Sequence, residues 1–347
     1  MRVVVLGAGA SKPAGYPLAG ELLPAIGENI QPDAWARWRA FCESCEGPFR
    51  RLLENPNPEV VFSVLDLYEI AKEAEFADRM RRHKRGEQVE ELDPNGLNTL
   101  GARVALLDCL EAFFALKHVE DLDPATAPRR DYLRRLLDEL DAGDRVITLN
   151  WDTIVERTLA EGGRWNPTTG YGIKKPLALG FEYDKAVTEP RITECDIYVL
   201  KLHGSFGWYR TAGGLLYFEG PEFLRFLPDA SAHHPHVPWC DPMPPPIGRP
   251  TNPLLLHPSF LKQLAGSELQ EIWAQADAAL RAADSIRVVG YSLPPADSAV
   301  RALLNTLRWR GDRGEATIYV SDPNAEARRR WSEFLGSSAR IDGEKLG

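Results

Sequence analysis

The sequence predicts an α/β fold, a doubly wound parallel sheet of Rossmann-like type with a large helical insertion. Three observations predict it. Short apolar, β-branched runs alternate with helical stretches, the order that a parallel sheet requires. The first run, residues 3–6, is apolar throughout, as a strand covered on both faces is. Several of the runs also stop abruptly at small or polar turn-forming residues, and open α/β sheets hold their ligands beyond the carboxyl ends of strands.

Taken in order, residues 3–6 form the first strand, which halts at Gly7-Ala8-Gly9-Ala10-Ser11 before Lys12-Pro13. Small residues there let the backbone approach a ligand, and free N–H groups cradle a phosphate. A tight strand-to-helix turn without a ligand fits the same residues. Lys12 stands where a GxGxxG fingerprint has its third glycine, and no Gly-Lys-Ser/Thr closes a Walker A loop. Residues 20–140 then read as helix, over 21–26, 34–45, 48–53, 59–77, 98–118 and 131–140, with a turn signal at Asp93-Pro94-Asn95-Gly96. One crossover needs far less helix. Residues 21–140 are therefore expected to be an inserted helical subdomain, with 1–20 and 141–347 as the core. Cys42 and Cys45 make a lone CxxC inside it, without the second pair that a zinc site needs.

A second strand over 144–149 runs into Asn150-Trp151-Asp152, ahead of a helix over 153–159. Asp152 or Thr153 suits the cap of that helix, while Asn150 offers a ligand both a donor and an acceptor. The third run, Val199-Leu200-Lys201-Leu202, ends in His203-Gly204-Ser205. A histidine there is either held by a backbone carbonyl or poised as a base. Residues 160–190, rich in glycine, proline and tyrosine, read as a covering loop. A hairpin is expected from 208–210 and 215–218 around Gly213-Gly214. The proline-dense stretch 228–258 holds His233, His234, His236 and Cys240, whose spacing matches no standard zinc pattern, so it reads as a solvated loop and no metal is expected. A helix over 268–283 leads to a strand at 285–289 and the turn Gly290-Tyr291-Ser292-Leu293-Pro294-Pro295. A helix over 298–307, a strand over 316–320 ending in Ser321-Asp322-Pro323-Asn324, and a helix over 326–335 complete the pattern.

Composition narrows the function classes. With 347 residues, 44% hydrophobic and 26% charged, the chain has ample core for one large domain or two. A net charge of −9 argues against a general affinity for nucleic acid or anionic membranes. Five scattered cysteines suit reduced thiols. No apolar run reaches the roughly 18 residues that span a bilayer, and the first strand has no apolar leader before it. A cytoplasmic protein is expected.

The four stretches Gly7-Ala8-Gly9-Ala10-Ser11, Thr148-Leu149-Asn150-Trp151-Asp152, Leu202-His203-Gly204-Ser205 and Gly290-Tyr291-Ser292, in this order and at strand ends, resemble the sirtuin-like NAD-binding domain. The resemblance covers the core and not the helical insert. It implies that the glycine turn from Gly7 through Ala8, Gly9 and Ala10 to Ser11 holds the NAD pyrophosphate. It also places Asn150 and Asp152 around the nicotinamide and its ribose, and makes His203 the catalytic base. Gly290 and Ser292, with Asp322 at the last strand end, would contact the adenosine half, and Thr148 and Gly204 complete the NAD-binding set. Three departures point away from the deacylase branch. Cys240 is the one cysteine between Gly204 and Gly290, where deacylases carry two CxxC pairs; Leu149 replaces the usual glutamine; and Gly15-Tyr16-Pro17-Leu18 lacks Asp-Phe-Arg. The chain looks more like bacterial sirtuin-like proteins of antiphage defence. That implies NAD as substrate, cleaved to nicotinamide and ADP-ribose, with a homo-oligomer or a separately encoded defence protein as partner. Deacylation or ADP-ribosyl transfer, and NAD sensing without turnover, are the alternatives.

Overall fold

The computed structural model describes residues 1–29, 33–45, 47–58, 60–68, 99–167, 169–173, 178–179, 195–211, 214–217, 253–255, 267–295 and 297–343. Its strands in chain order are β1 (Arg2–Leu6), β2 (Arg145–Thr148), β3 (Ala178–Leu179), β4 (Tyr198–Lys201), β5 (Gly204–Thr211), β6 (Gly214–Tyr217), β7 (Pro253–Leu255), β8 (Ser285–Val289), β9 (Thr317–Ser321) and β10 (Arg340–Asp342). The helices are α1 (Ala8–Ser11), α2 (Ala19–Asn29), α3 (Asp33–Ser44), α4 (Gly47–Leu53), α5 (60–68), α6 (Thr99–Leu122), α7 (Asp131–Asp138), α8 (Ile154–Glu161), α9 (Ser267–Ala282), α10 (Ser298–Asp312) and α11 (Ala325–Leu335).

Six strands make one sheet in the order β4-β2-β1-β8-β9-β10, and every neighbouring pair is parallel. The chain steps outward from β1 through β2 to β4, returns to lay β8 on the other side of β1, and steps outward again through β9 to β10. This is the doubly wound order that the apolar runs predict, and its direction reverses between β1 and β8. Val3, Val4, Val5, Leu6, Val146, Ile147, Val199, Leu200, Val288 and Val289 are all buried. After the first residue of each, burial is uninterrupted in β1, β2 and β4, which is why these strands show no alternation, while β8 is broken at the part-exposed Arg287. The helices beside the sheet bury stripes at helical spacing: Tyr132, Leu133, Leu136 and Leu137 in α7, and Ala327, Trp331 and Leu335 in α11. Asn324 caps α11, its side chain accepting from the N–H groups of Glu326 and Ala327.

The chain divides into two compact units. The first comprises Met1–Leu18, Phe114–Leu256 and Gln263–Gly347, and the second Ala19–Phe113 and His257–Lys262. Both sheets belong to the first. The second unit is helical in its described residues, with Leu22, Ile26, Trp38, Phe62, Leu65, Leu106 and Leu110 in its core. Cys42 and Cys45 are free thiols buried there, in helical surroundings.

A four-stranded second sheet, β3-β6-β5-β7, corrects the reading of 160–190 and 228–258 as loop alone. β3 and β7 are two and three residues long, too short to register any periodicity in sequence. The expected hairpin is present as antiparallel β5 and β6, but β5 begins at Gly204 rather than at 208. Gly204 has φ +75°, which swings the chain directly from the turn after β4 into the next strand. β10 has one apolar residue, Ile341, and owes its extended form to pairing with β9. The stretch from His233 to Cys240 lies outside the described residues. Among the described residues no helix is long and apolar enough to cross a membrane, and no group of three or more metal-capable side chains comes together.

Candidate active site

Register builds the site. Leu6 pairs with Thr148 and Val289, Thr148 with Lys201, and Val289 with Ser321, so five strands end in one row. The turns that follow them therefore share one edge of the sheet, at its carboxyl ends. There the turns after β1 and β8 cross at close quarters. The Gly7 N–H donates to the Val289 carbonyl (3.1 Å), and the Gly9 N–H to the Gly290 carbonyl (2.9 Å). A Cβ on Gly7 would lie 2.6 Å from the Gly290 oxygen. One on Gly290, which has φ +64°, would strike Ala10 and Gly9. Glycine at both positions lets the two turns interlock. The Ala10 N–H bonds to the Gly7 carbonyl (2.9 Å), so the N–H groups of Gly7, Gly9 and Ala10 all have partners within the protein.

A chain of hydrogen bonds ties this turn to the end of β2. The Asn150 amide donates to the Gly7 carbonyl (3.0 Å) and to Ser11 Oγ (2.8 Å), and Ser11 Oγ donates to Asp152 Oδ2 (2.7 Å). With both of its N–H groups engaged, Asn150 keeps only the acceptor Oδ1 for a ligand, where the sequence suggests a donor and an acceptor. Its backbone N–H bonds to Thr148 Oγ1 (3.1 Å). Asp152 also does the local job foreseen for it, since Oδ1 accepts from the Ile154 N–H at the start of α8 (3.2 Å). Burial pushes its carboxyl up from the ordinary 3.8 to about 6, against the pull of Lys201 and the Ser11 hydroxyl.

Lys201 is fully buried beneath this group. Its ammonium donates to the Asp152 backbone carbonyl and pairs with Glu156 Oε1 at 2.8 Å. Glu156 Oε1 accepts from the Tyr171 hydroxyl (3.2 Å), and Oε2 is buried without a hydrogen-bond partner among the described residues. A lysine inside an apolar strand was the available signal for this pair, because a buried ammonium has to meet an anion.

His203 sits two residues past β4, 4% exposed. Its Nδ1 lies 3.1 Å from the Leu149 carbonyl, so the proton of the neutral ring belongs on Nδ1. Nε2 faces Asp297 Oδ2 at 3.6 Å. Two indoles hold the backbone on either side: Trp151 Nε1 donates to the His203 carbonyl (3.1 Å) and Trp273 Nε1 to that of Leu202 (3.0 Å).

Beside Asp152 opens a small cleft lined by Tyr16, Phe114, His118, Thr153 and Phe206. Phe114 and Phe206 stack with centroids 4.1 Å apart. Arg157 donates to His118 Nε2 (2.9 Å), which assigns the Nδ1 proton to Thr153 Oγ1 (3.0 Å). Burial, with help from Arg157 and Arg130, pushes His118 down to about 3, so it stays neutral. The Tyr16 hydroxyl donates to Asp121 Oδ2 (2.6 Å). These residues come from the turn after α1, from α6, from the start of α8 and from β5, through long-range contacts that leave no local mark in the sequence.

Gly7, Gly9, Ala10, Ser11, Thr148, Asn150, Asp152 and Gly290 are thus joined by direct contacts, with Ala8 in the same short helix α1. His203 joins through Leu149, and Gly204 follows it. Ser292 and Asp322 stand at the ends of β8 and β9 but bond elsewhere. The Ser292 carbonyl accepts from Arg330 (2.8 Å), and Asp322 Oδ1 from the Asn324 N–H (2.8 Å).

No family model matches the sequence, and no curated protein matches it. Among solved structures the chain is similar to Sir2Tm bound to a propionylated peptide, at 13% identity and TM-score 0.35 over all of this chain and 88% of that one. It is also similar to a Sir2–p53 peptide–NAD+ structure, at 15% identity and TM-score 0.34 over all of this chain and 88% of that one. The fold assignment rests on the strand order itself: an open, doubly wound α/β protein with a buried polar site at the edge where the sheet reverses.

Proposed function

We propose that this protein is an NAD+ glycohydrolase of sirtuin-like type. The observation that carries the reading is the hydrogen-bonded chain from Asn150 through Ser11 to Asp152, lying with His203 at the reversal of a doubly wound sheet. That is where such sheets take dinucleotides, and the four sequence motifs that resemble sirtuin-like domains meet there. The reaction breaks the bond between ribose C1′ and the nicotinamide nitrogen, which keeps the electron pair. A water oxygen bonds to C1′, and its proton passes to a base. The transition state has oxocarbenium character, so charge placement matters more than a strong acid. Asp152, largely ionised at neutral pH, supports the positive charge that develops on the ribose as the nicotinamide departs. Asn150 Oδ1 orients a ribose hydroxyl or the attacking water. His203 takes the proton at Nε2. Depletion of cellular NAD follows from such a reaction and fits a role in antiphage defence, held in check by self-assembly or by a partner protein.

Purified full-length protein incubated with NAD should release nicotinamide and ADP-ribose in equal amounts. His203→Ala and Asn150→Ala should each slow release by about 100-fold or more in a protein that still folds, at a cost of about 1–3 kcal/mol for the buried hydrogen bonds lost. Intact NAD after prolonged incubation refutes the reading, as does an acetyl-lysine peptide that is consumed faster than water attacks.

A further inference from the structure

Asp297 is the residue just before α10, the N-cap position, where an aspartate ordinarily bonds the first free N–H groups of the helix. Here the side chain makes no capping bond. It turns inward instead, and the residue is 1% exposed. Its Oδ2 accepts from the Tyr291 hydroxyl at 2.9 Å and lies 3.6 Å from His203 Nε2. The turn that delivers it is itself unusual. Leu293 has φ +52°, a left-handed conformation costly for a branched side chain, and the Asp297 N–H closes the turn on the Pro294 carbonyl (3.1 Å). A forgone cap and a strained turn together place a buried carboxylate between the Tyr291 hydroxyl and His203.

We infer that Asp297 is a positioning residue of this site, fixing the orientation and charge of His203 through Nε2. The inference rests on the reading of His203 as the base. The imidazole is gripped at both ends, by the Leu149 carbonyl at Nδ1 and by the carboxylate near Nε2. At 3.6 Å from Nε2 the carboxylate is close enough to stabilise the imidazolium formed when Nε2 takes a proton. Among the described residues, the other charged groups at this edge have partners of their own: Lys201 with Glu156 and the Asp152 carbonyl, Asp152 with Ser11, Arg301 with the Leu293 carbonyl, Arg330 with that of Ser292, and Asp322 with the Asn324 N–H. Tyr291 holds Asp297 in turn, which gives the tyrosine of the Gly290-Tyr291-Ser292 turn a role.

The test follows the His203 ring by NMR, its signal assigned by its loss in His203→Ala. In the unsubstituted protein the neutral ring should carry its proton on Nδ1. Asp297→Asn should lower the midpoint of the imidazole titration by about one to three pH units. The acid limb of kcat/KM for NAD should move down with it, with kcat reduced more than KM is raised. An unmoved midpoint overturns the inference even if NAD is hydrolysed. A moved midpoint in a protein that leaves NAD intact keeps the positioning pair and refutes the hydrolase. If Asp297→Asn does not fold, the unsubstituted protein decides: a neutral ring protonated on Nε2 overturns the inference.

Discussion

Asp152 is pulled two ways: burial favours its protonated form, and Lys201 with the Ser11 hydroxyl favours the carboxylate. Burial wins, lifting the carboxyl from 3.8 to about 6. An acid raised in the folded state binds its proton more tightly there than in the unfolded chain. Its contribution to stability is therefore complete below pH 3.8 and lost as pH rises through about 6. At pH 7.5 the ionised group opposes folding by at most about 3 kcal/mol. Asp152→Asn keeps an oxygen for Ser11 and carries no charge at any pH. The variant should melt higher than the unsubstituted protein at pH 7.5, and the gap should close near pH 4. NAD turnover should fall by about 100-fold or more, and the acid limb that remains should be that of His203 alone. A variant that melts lower at pH 7.5 would show that the carboxylate stabilises the fold, contrary to this account. Stability and activity are set against each other at this residue.

Among the elements, the crossing of the β1 and β8 turns bears most of the geometric demand. Gly290→Ala places a Cβ against Ala10 and Gly9 at φ +64°, adding steric overlap to a left-handed backbone. A loss of about 2–5 kcal/mol is expected. Gly163→Ala is the control: its φ is +67° and a Cβ there meets nothing within 4 Å, so only about 1 kcal/mol should be lost. Denaturant unfolding of both variants separates overlap from backbone strain, and equal losses would count against the interlocked turns. The turns themselves were legible in sequence, because a strand buried on both faces is an unbroken apolar run and its end is conspicuous. Val3-Val4-Val5-Leu6 before Gly7 is such a run, and before Gly290 the buried Ile286, Val288 and Val289 are broken only by the part-exposed Arg287. β3, β7 and β10 were not legible, being two or three residues held by pairing. Asp297 was hidden for another reason: its sequence position is that of an ordinary helix cap, and only the folded chain shows the carboxylate turned away from that role.

At the scale of the whole molecule, every residue of the proposed site lies in the unit that contains the two sheets. A ligand that binds only the folded form stabilises it by about 2.7 kcal/mol at a hundredfold excess over its Kd. That gain slows amide exchange only where opening the backbone breaks the site. If NAD bridges the turns after β1, β2, β4 and β8, amides over 3–11, 146–157 and 286–297 should exchange more slowly in its presence. Those over 21–29, 34–45 and 101–113, in the other unit, should keep their rates. The comparison is best made with the slow His203→Ala variant, so that the ligand survives the labelling time. Slowing confined to 21–113 would move the dinucleotide away from the sheet edge and refute the site. Slowing at the β1 and β8 turns alone, with 146–157 unchanged, would keep the phosphate half of the contact but separate Asn150 and Asp152 from the nicotinamide, and with them the chemistry assigned to the end of β2.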